Sequence, residues 1–539
     1  MNTKKNLAFL LLSCLCLTAA TTSYAQVQPS TQPAQQTPPN APLELPDFLV
    51  TGKAVVDIAA GAKQTPQKPF RLSTSELDSL NPTEKFPAPA VPNRSMPSFY
   101  RNRNVNSSYV DASFGSYTTP ALAAGTEVRV GDYTIDAALD GLYAADWTPG
   151  ASILNAGLAL SSSYIAPEKF YLFGKGLTET DLLVRHNEYT LFADSTAPSR
   201  ATTRLFAAVA TEAVVAEAPI SAQLHWNSHS LADQGREAVG DQRIRGRLRA
   251  RLAKSYQGTI DIDMQTRGDA SYPFMQATVM KAFGDSSLHM QATLGAQVAT
   301  NTAAESRVGL LADLSAAYEA DEFMSYGLAL RSGMRALSFS DQLMVNPYLS
   351  VSSLIDVPYE LLNIAATAKY HPSQQLQVLG RVSATRTVRS PLWVDAASFQ
   401  FDLTYHEVTL LAGSVELFYR PSSSDVLSAA ATAQSARLET GREATYVEPV
   451  RIDATYRRTF SPDLQAALSM QYVGRRYVDL DNSRQVDAFL NVQLRTSYAV
   501  SKALDLQITA DNLINSTIMV WNGYRERGIF VSGGVSMRL

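Results

Sequence analysis

From about Val105 to Leu539 the chain is built of segments of ~10 residues whose side chains alternate apolar and polar, separated by Gly, Asp, Asn, Ser or Pro turns. Leu288, Met290, Ala292, Leu294, Ala296 and Val298 share one face, with His289, Gln291, Thr293 and Gln297 opposite. Leu504, Leu506, Ile508 and Ala510 oppose Asp505, Gln507, Thr509 and Asp511. The same pattern recurs at Val378–Thr385 and Leu490–Ser497. A period of two places one set on each face of a strand. After the first residues no stretch approaches the ~20 apolar residues of a helical span, so helical crossing is excluded. Soluble sandwiches and propellers alternate too. Two details point elsewhere. The polar face is strongly polar on nearly every segment, and tyrosines sit near segment ends, at Tyr419, Tyr456, Tyr472, Tyr477 and Tyr498, as aromatic girdles require. The expectation is an all-β, closed antiparallel transmembrane barrel of about 20 strands, within a range of roughly 16 to 22 and even in number.

The first residues set the compartment. Lys4 and Lys5 precede an apolar run, Leu7–Ala20, and Ser23 and Ala25 place a cleavage site before Gln26. Residues 1–25 therefore read as a secretory signal peptide. Both cysteines, Cys14 and Cys16, fall inside it, which leaves the exported chain without thiol chemistry or disulfides. A closed sheet needs neither, since every strand is paired. The net charge of −4 gives no sign of nucleic-acid binding. Residues 26–52 form a Pro- and Gln-rich linker, interrupted by the apolar run Leu45, Pro46, Asp47, Phe48, Leu49, Val50. Residues 53–104 read as an irregular periplasmic tail or lumen insert, with Ser73 and Glu76 spaced as a capping box for one short helix.

The chain ends on Phe530–Leu539, where Ser532, Gly534, Met537 and Leu539 fit a polar-x-Gly-x-x-apolar-x-apolar pattern. It is preceded by Asp511-Asn512-Leu513-Ile514-Asn515 and then Trp521-Asn522-Gly523-Tyr524. This arrangement resembles the C-terminal end of TonB-dependent receptor barrels, and Tyr109–Tyr117 followed by Pro120 resembles their opening hairpin. The resemblance covers roughly Val105 to Leu539. It implies an outer-membrane location, contact with lipid, and a last strand presented to the barrel-assembly machinery, with Leu539 where that family usually ends in an aromatic. Glu44–Gly52 resembles a TonB box. Residues 53–104 carry none of that family's plug motifs, so the expectation is a barrel that lacks the plug domain.

Leu45–Val50 could add a strand to the sheet edge of a periplasmic partner, TonB or another, with Phe48 and Val50 filling pockets; the plainer reading is a chance apolar stretch in a linker. Arg243, Arg245, Arg247, Arg249 and Arg251 alternate with Ile244, Gly246, Leu248, Ala250 and Leu252. Facing lipid, each charge would cost ~2–4 kcal/mol near the midplane, so the arginines must face the lumen. A turn near Ser255–Gln257 would set Arg251 opposite Asp261 and Arg249 opposite Asp263, each pair contributing ~0.2–1 kcal/mol. That describes either a balanced wall ladder or, through Arg243, Arg245 and Arg247, an anion-attracting stripe. Six histidines are scattered; His225 and His229 would lie ~13 Å apart on a strand, too far to share a metal. No local catalytic motif occurs, and no enzyme activity or cofactor is expected. The functional expectation is a transport channel or the membrane part of an uptake or envelope complex, a surface lipoprotein being a further candidate partner. Its rivals are a non-conducting scaffold acting through the tail, and a TonB-driven transporter with an unrecognised plug. So wide a barrel needs a stopper. The candidates are the Ala54–Tyr100 tail, favoured for its capped helix; inward-folded loops at Pro167–Thr202 or Ser390–Phe399, the latter with Trp393; or a separate protein.

Overall fold

The computed structural model describes residues 108–539, except 168–175, 195, 216–217, 254, 286, 374 and 397–399. The signal peptide, Leu45–Val50 and the tail with Ser73 and Glu76 lie outside the described residues. One 23-stranded antiparallel sheet contains the wall. Its two-residue member Ala270–Ser271 only hooks back onto Thr266 and Arg267, which leaves 22 wall strands, the upper end of the expected range. Each strand pairs with the next, and the first, Ser108–Gly115, pairs with the last, Phe530–Arg538. Closure leaves no unpaired edge, which a sheet in hydrocarbon requires.

The surface is inside-out relative to a water-soluble fold. Leu294, Val308, Leu310, Val382 and Leu411 are exposed on the outer face, whereas Asp261, Asp263, Gln265 and Gln297 are buried toward the interior. An apolar outer face of this extent belongs in lipid. On strand Val239–Ala253 the exposed column runs from Ile244 to Leu252, roughly 26 Å along the strand, which at the ~35–45° tilt of such barrels spans about 20 Å of the ~25 Å apolar band. No helix among the described residues is long and apolar enough to cross a membrane; the crossing is made by strands.

The two ends differ. At one, strands are joined by tight turns such as 131–132, 320–323 and 500–503. The other carries 335–358, 439–449, 474–488 and 512–529. Short turns face the periplasm and long loops face outward, which also puts Ser108 and Leu539 on the periplasmic side. Exposed Tyr133, Tyr318, Tyr326, Tyr370, Tyr419, Tyr456 and Tyr498 ring the periplasmic ends of their strands, where amphipathic rings suit the interface. Tyr472 sits at an outer strand end. Tyr477 departs from the girdle expectation: it belongs to a small hairpin, Arg476–Tyr477 with Gln485–Val486, over the outer mouth.

At the seam, Ser113 lies opposite Gly534 and Gly115 opposite Ser532. A Cβ on Gly534 would stand 2.8 Å from the Ser113 Cβ and 2.9 Å from the Ala112 carbonyl. Glycine is needed there because the two strands approach closely. Met537 and Leu539 point outward and are exposed.

Candidate functional site: a lid across the outer mouth

The link 335–358 could have been a tight turn, because its flanks Met334 and Tyr359 are directly paired. It instead carries Leu337, Phe339, Leu343, Leu349, Ile355 and Val357, all buried. Phe339–Val345 forms a short helix, α1, started by Ser338, whose hydroxyl accepts from the Asp341 amide at 3.0 Å. The apolar side of this segment packs on Leu231, Tyr272 and Leu403, which come from well-separated parts of the wall. The segment thus spans the interior rather than projecting outward.

Backbone groups of a folded-in loop must find partners. Phe401 exchanges main-chain hydrogen bonds with Tyr348 and Ser350, Thr302 bonds Ile355, and wall arginines take several of the remaining carbonyls. Arg200 is fully buried. It makes a two-pronged ion pair with Asp233, at 2.5 and 2.9 Å, and donates its other terminal nitrogen to the carbonyls of Pro347 (3.0 Å) and Leu349 (2.7 Å). Tyr189 donates to the same Pro347 carbonyl at 2.6 Å. Arg267 donates to the Ser353 carbonyl at 2.6 Å and lies over the Phe339 ring at 3.7 Å. Arg389 donates to the Val357 carbonyl, and Arg307 pairs with Asp356. Arg243 reaches Asp341 of α1 at 2.6 Å while holding Asp263. Burial opposes a charge on Asp341, but the Arg243 guanidinium and the hydrogen bonds from Ser338 and Arg243 prevail and hold its carboxyl below the usual range.

A second inward element, 512–529, completes the closure. The Asp511-Asn512-Leu513-Ile514-Asn515 run turns the chain, with Asn512 and Asn515 at φ of 51° and 54°. The Asn512 amide group donates to the carbonyls of Ser516 and Arg527. A short hairpin then buries Trp521 and Tyr524 against Phe401 and Tyr446. The two elements meet where the Tyr348 and Tyr524 rings stack. Burial pushes both phenols well above their ordinary range, so they stay neutral.

The arginine ladder differs in register from the expectation. The turn is tighter, with Ala253 opposite Tyr256 and a bulge beside Arg251, so Asp261 faces Arg247 and Asp263 faces Arg245. The bonded partners are Arg247 with Asp261 and Arg243 with Asp263. Ile244 and Leu248 are about half exposed on the other face, at 50% and 48%. The arginines without an ion pair among the described residues are Arg245, Arg249 and Arg251, rather than Arg243, Arg245 and Arg247. Two stopper candidates are also corrected. Pro167–Thr202 contains the wall strand Leu177–Thr190, and Ser390–Asp395 continues the strand Leu376–Asp395, whose Trp393 packs beneath the closure. Among the described residues the main inward loops are 335–358 and 512–529, with Tyr446, Val478, Val486 and Phe192 of the neighbouring outer links packed into the same cluster. The sequence signal for the first was available: alternation lapses over a length no turn needs, and Ser338 and Asp341 are spaced as a helix cap.

No family model matches the chain, and no curated protein does. Solved structures do. The FrpB iron transporter from Neisseria meningitidis superposes with a TM-score of 0.63 at 8% identity, over 81% of this chain and 82% of that one. The ferric-catecholate import receptor Fiu from E. coli K12 gives 0.60 at 10% identity, over 81% and 82%. The copper transporter OprC gives 0.62 at 12% identity, over 80% of each. The fold is that of the TonB-dependent outer-membrane receptors. At these identities the likeness speaks for the fold. With the inside-out surface, it places this TonB-dependent-receptor-like barrel in the outer membrane.

Proposed function

We propose that this barrel is a gated uptake channel of the outer membrane that favours anionic solutes, with the 335–358 lid as its gate. The observation that carries the reading is how the lid is held. Beside a few main-chain bonds to Thr302 and Phe401 it is fastened by side-chain latches, chiefly Arg200 on the Pro347 and Leu349 carbonyls, and it adds no strand to the wall sheet. Latches of this kind can release while the wall stays paired. Below the lid level, Arg249 and Arg251 are exposed on the lumen-facing side of their strand and carry no ion pair among the described residues, which supplies a positive track for an anion. Leu45–Val50 is the segment through which a periplasmic energy-coupling partner of the TonB type would act, by strand addition.

The test is solute flux into proteoliposomes containing the full chain. Small anionic dyes should enter faster than cationic ones of equal size, and Arg249→Gln with Arg251→Gln should remove the difference without lowering barrel yield. Equal entry of both dyes in the wild type would overturn the anion preference. The absence of flux from a lid-deleted barrel would overturn the channel itself.

A further inference from the structure

A cleft of about 490 Å³ lies at the outer rim, beside the strand ends Tyr472 and Leu490 and under the segment Ser516–Met519. Its position is fixed by alternation. Val473 and Phe489 are buried toward the interior, so Tyr472 and Leu490 point outward. Each tops a lipid-facing column, Leu468–Met470–Tyr472 on one strand and Leu490–Val492–Leu494 on the next, and these strands are neighbours. The apolar part of the cleft is therefore continuous with the lipid belt.

Its upper part is polar. Arg475 and Asp487 flank it, both largely exposed, and their closest approach is 3.9 Å. A pair this loose and this wet contributes little, so Arg475 can exchange its carboxylate for another anion at little cost. Thr517 adds a hydroxyl. The Ser516 hydroxyl is spent on the Leu490 carbonyl at 2.6 Å, which ties the overlying segment down and keeps the cleft open between it and the strands. The result is a trough whose apolar side is continuous with the lipid belt at Tyr472 and Leu490 and whose polar side carries the Arg475 guanidinium.

We infer that this cleft binds one phosphorylated glycolipid of the outer leaflet, with an acyl chain along Tyr472 and Leu490, a phosphate on Arg475 and sugar hydroxyls near Thr517. The lipid side and the charge together select an amphiphile with an anionic head. The cleft opens at the end that carries the long loops, where the leaflet consists of phosphorylated glycolipid rather than phospholipid. Guanidinium and phosphate pair well because the planar donors match two oxygens. The residues that carry the inference, Arg475 and Tyr472, lie outside 335–358, while Phe489 and Met519 at the back of the cleft belong to the apolar cluster beneath the closure.

The experiment is native mass spectrometry of the full-length protein from detergent, with three added probes: a bisphosphorylated acylated glucosamine disaccharide, its dephosphorylated form, and phosphatidylglycerol. The expected result is one bound equivalent of the first probe, with at least fivefold less of the other two. Arg475→Gln should lower retention of the first probe at least fivefold, and Asp487→Asn should raise it about twofold by removing the competing carboxylate. Normal heat-modifiable migration of both variants serves as the folding control, and both sites are exposed enough to keep it. Equal retention by wild type and Arg475→Gln would overturn the site. Phosphatidylglycerol bound as well as the glycolipid would overturn the assigned lipid, and several equivalents of every probe would mark annular lipid only.

Discussion

Replacing Arg200 with Ala should open the lid while leaving the barrel standing. Two of the bonds Arg200 makes go to the lid, to the Pro347 and Leu349 carbonyls, and two go to Asp233 within the wall. A hydrogen bond from a charged group contributes ~1.5–3 kcal/mol. Taking the low figure for each, the lid loses about 3 kcal/mol, roughly a 150-fold shift toward open. The same substitution strands the nearly buried Asp233 carboxylate, and breaking a buried pair costs about 3–5 kcal/mol. The wall can bear that, because its strands are paired on both sides around the whole barrel. The double variant Arg200→Ala, Asp233→Ala separates the two effects: it removes the stranded charge and should recover yield, yet the lid should remain loose. Limited proteolysis reads the lid directly, with cleavage expected between Ser338 and Val357 in both variants and not in the wild type. Bilayer conductance should rise in parallel. If both variants resist protease as the wild type does and conduct no more, Arg200 is a packing residue and not a latch.

Three other expectations follow from the wall and lid. Ile244→Arg or Leu248→Arg should destabilise the folded barrel by ~2–4 kcal/mol per midplane site, read by denaturant titration in detergent, whereas Arg249→Gln should not. Gly534→Val should prevent closure, because its Cβ and the atoms beyond it meet Ser113 and the Ala112 carbonyl; loss of heat-modifiable migration checks this. Asp341, held below the usual carboxylate range by Arg243, keeps its contribution to lid closure from neutral pH down through that range and loses it only as pH falls through its lowered value, so lid-limited conductance should be flat between about pH 8 and pH 5.

The wall was legible because its physics is local and repeated. Leu506 and Ile508 outward with Asp505 inward follows from a period of two, and one face must satisfy lipid. Register was less legible. The arginine ladder slid by four residues because the turn before Tyr256 is tighter than the polar run Ser255–Gln257 suggested, and nothing in a strand's alternation sets where its hairpin turns. The lid was missed for a different reason. Its partners, Arg200, Arg267, Arg307 and Arg389, are far apart in the chain and look like ordinary lumen arginines until the fold brings them around one loop. Only the lapse of alternation between Met334 and Tyr359, with its Ser338 cap, marked the place. The tail favoured as stopper lies outside the described residues.

The central claim is that the lid gates a passage. Because Met334 and Tyr359 are directly paired, residues 335–358 can be replaced by a short Gly-Ser turn without straining the wall. Single-channel recording of this full-length variant beside the wild type is the most direct measurement. The account predicts a wild type that is closed with brief openings and a variant with large, steady conductance. Equal silence of the two, with both proteins folded by heat-modifiable migration, would contradict it.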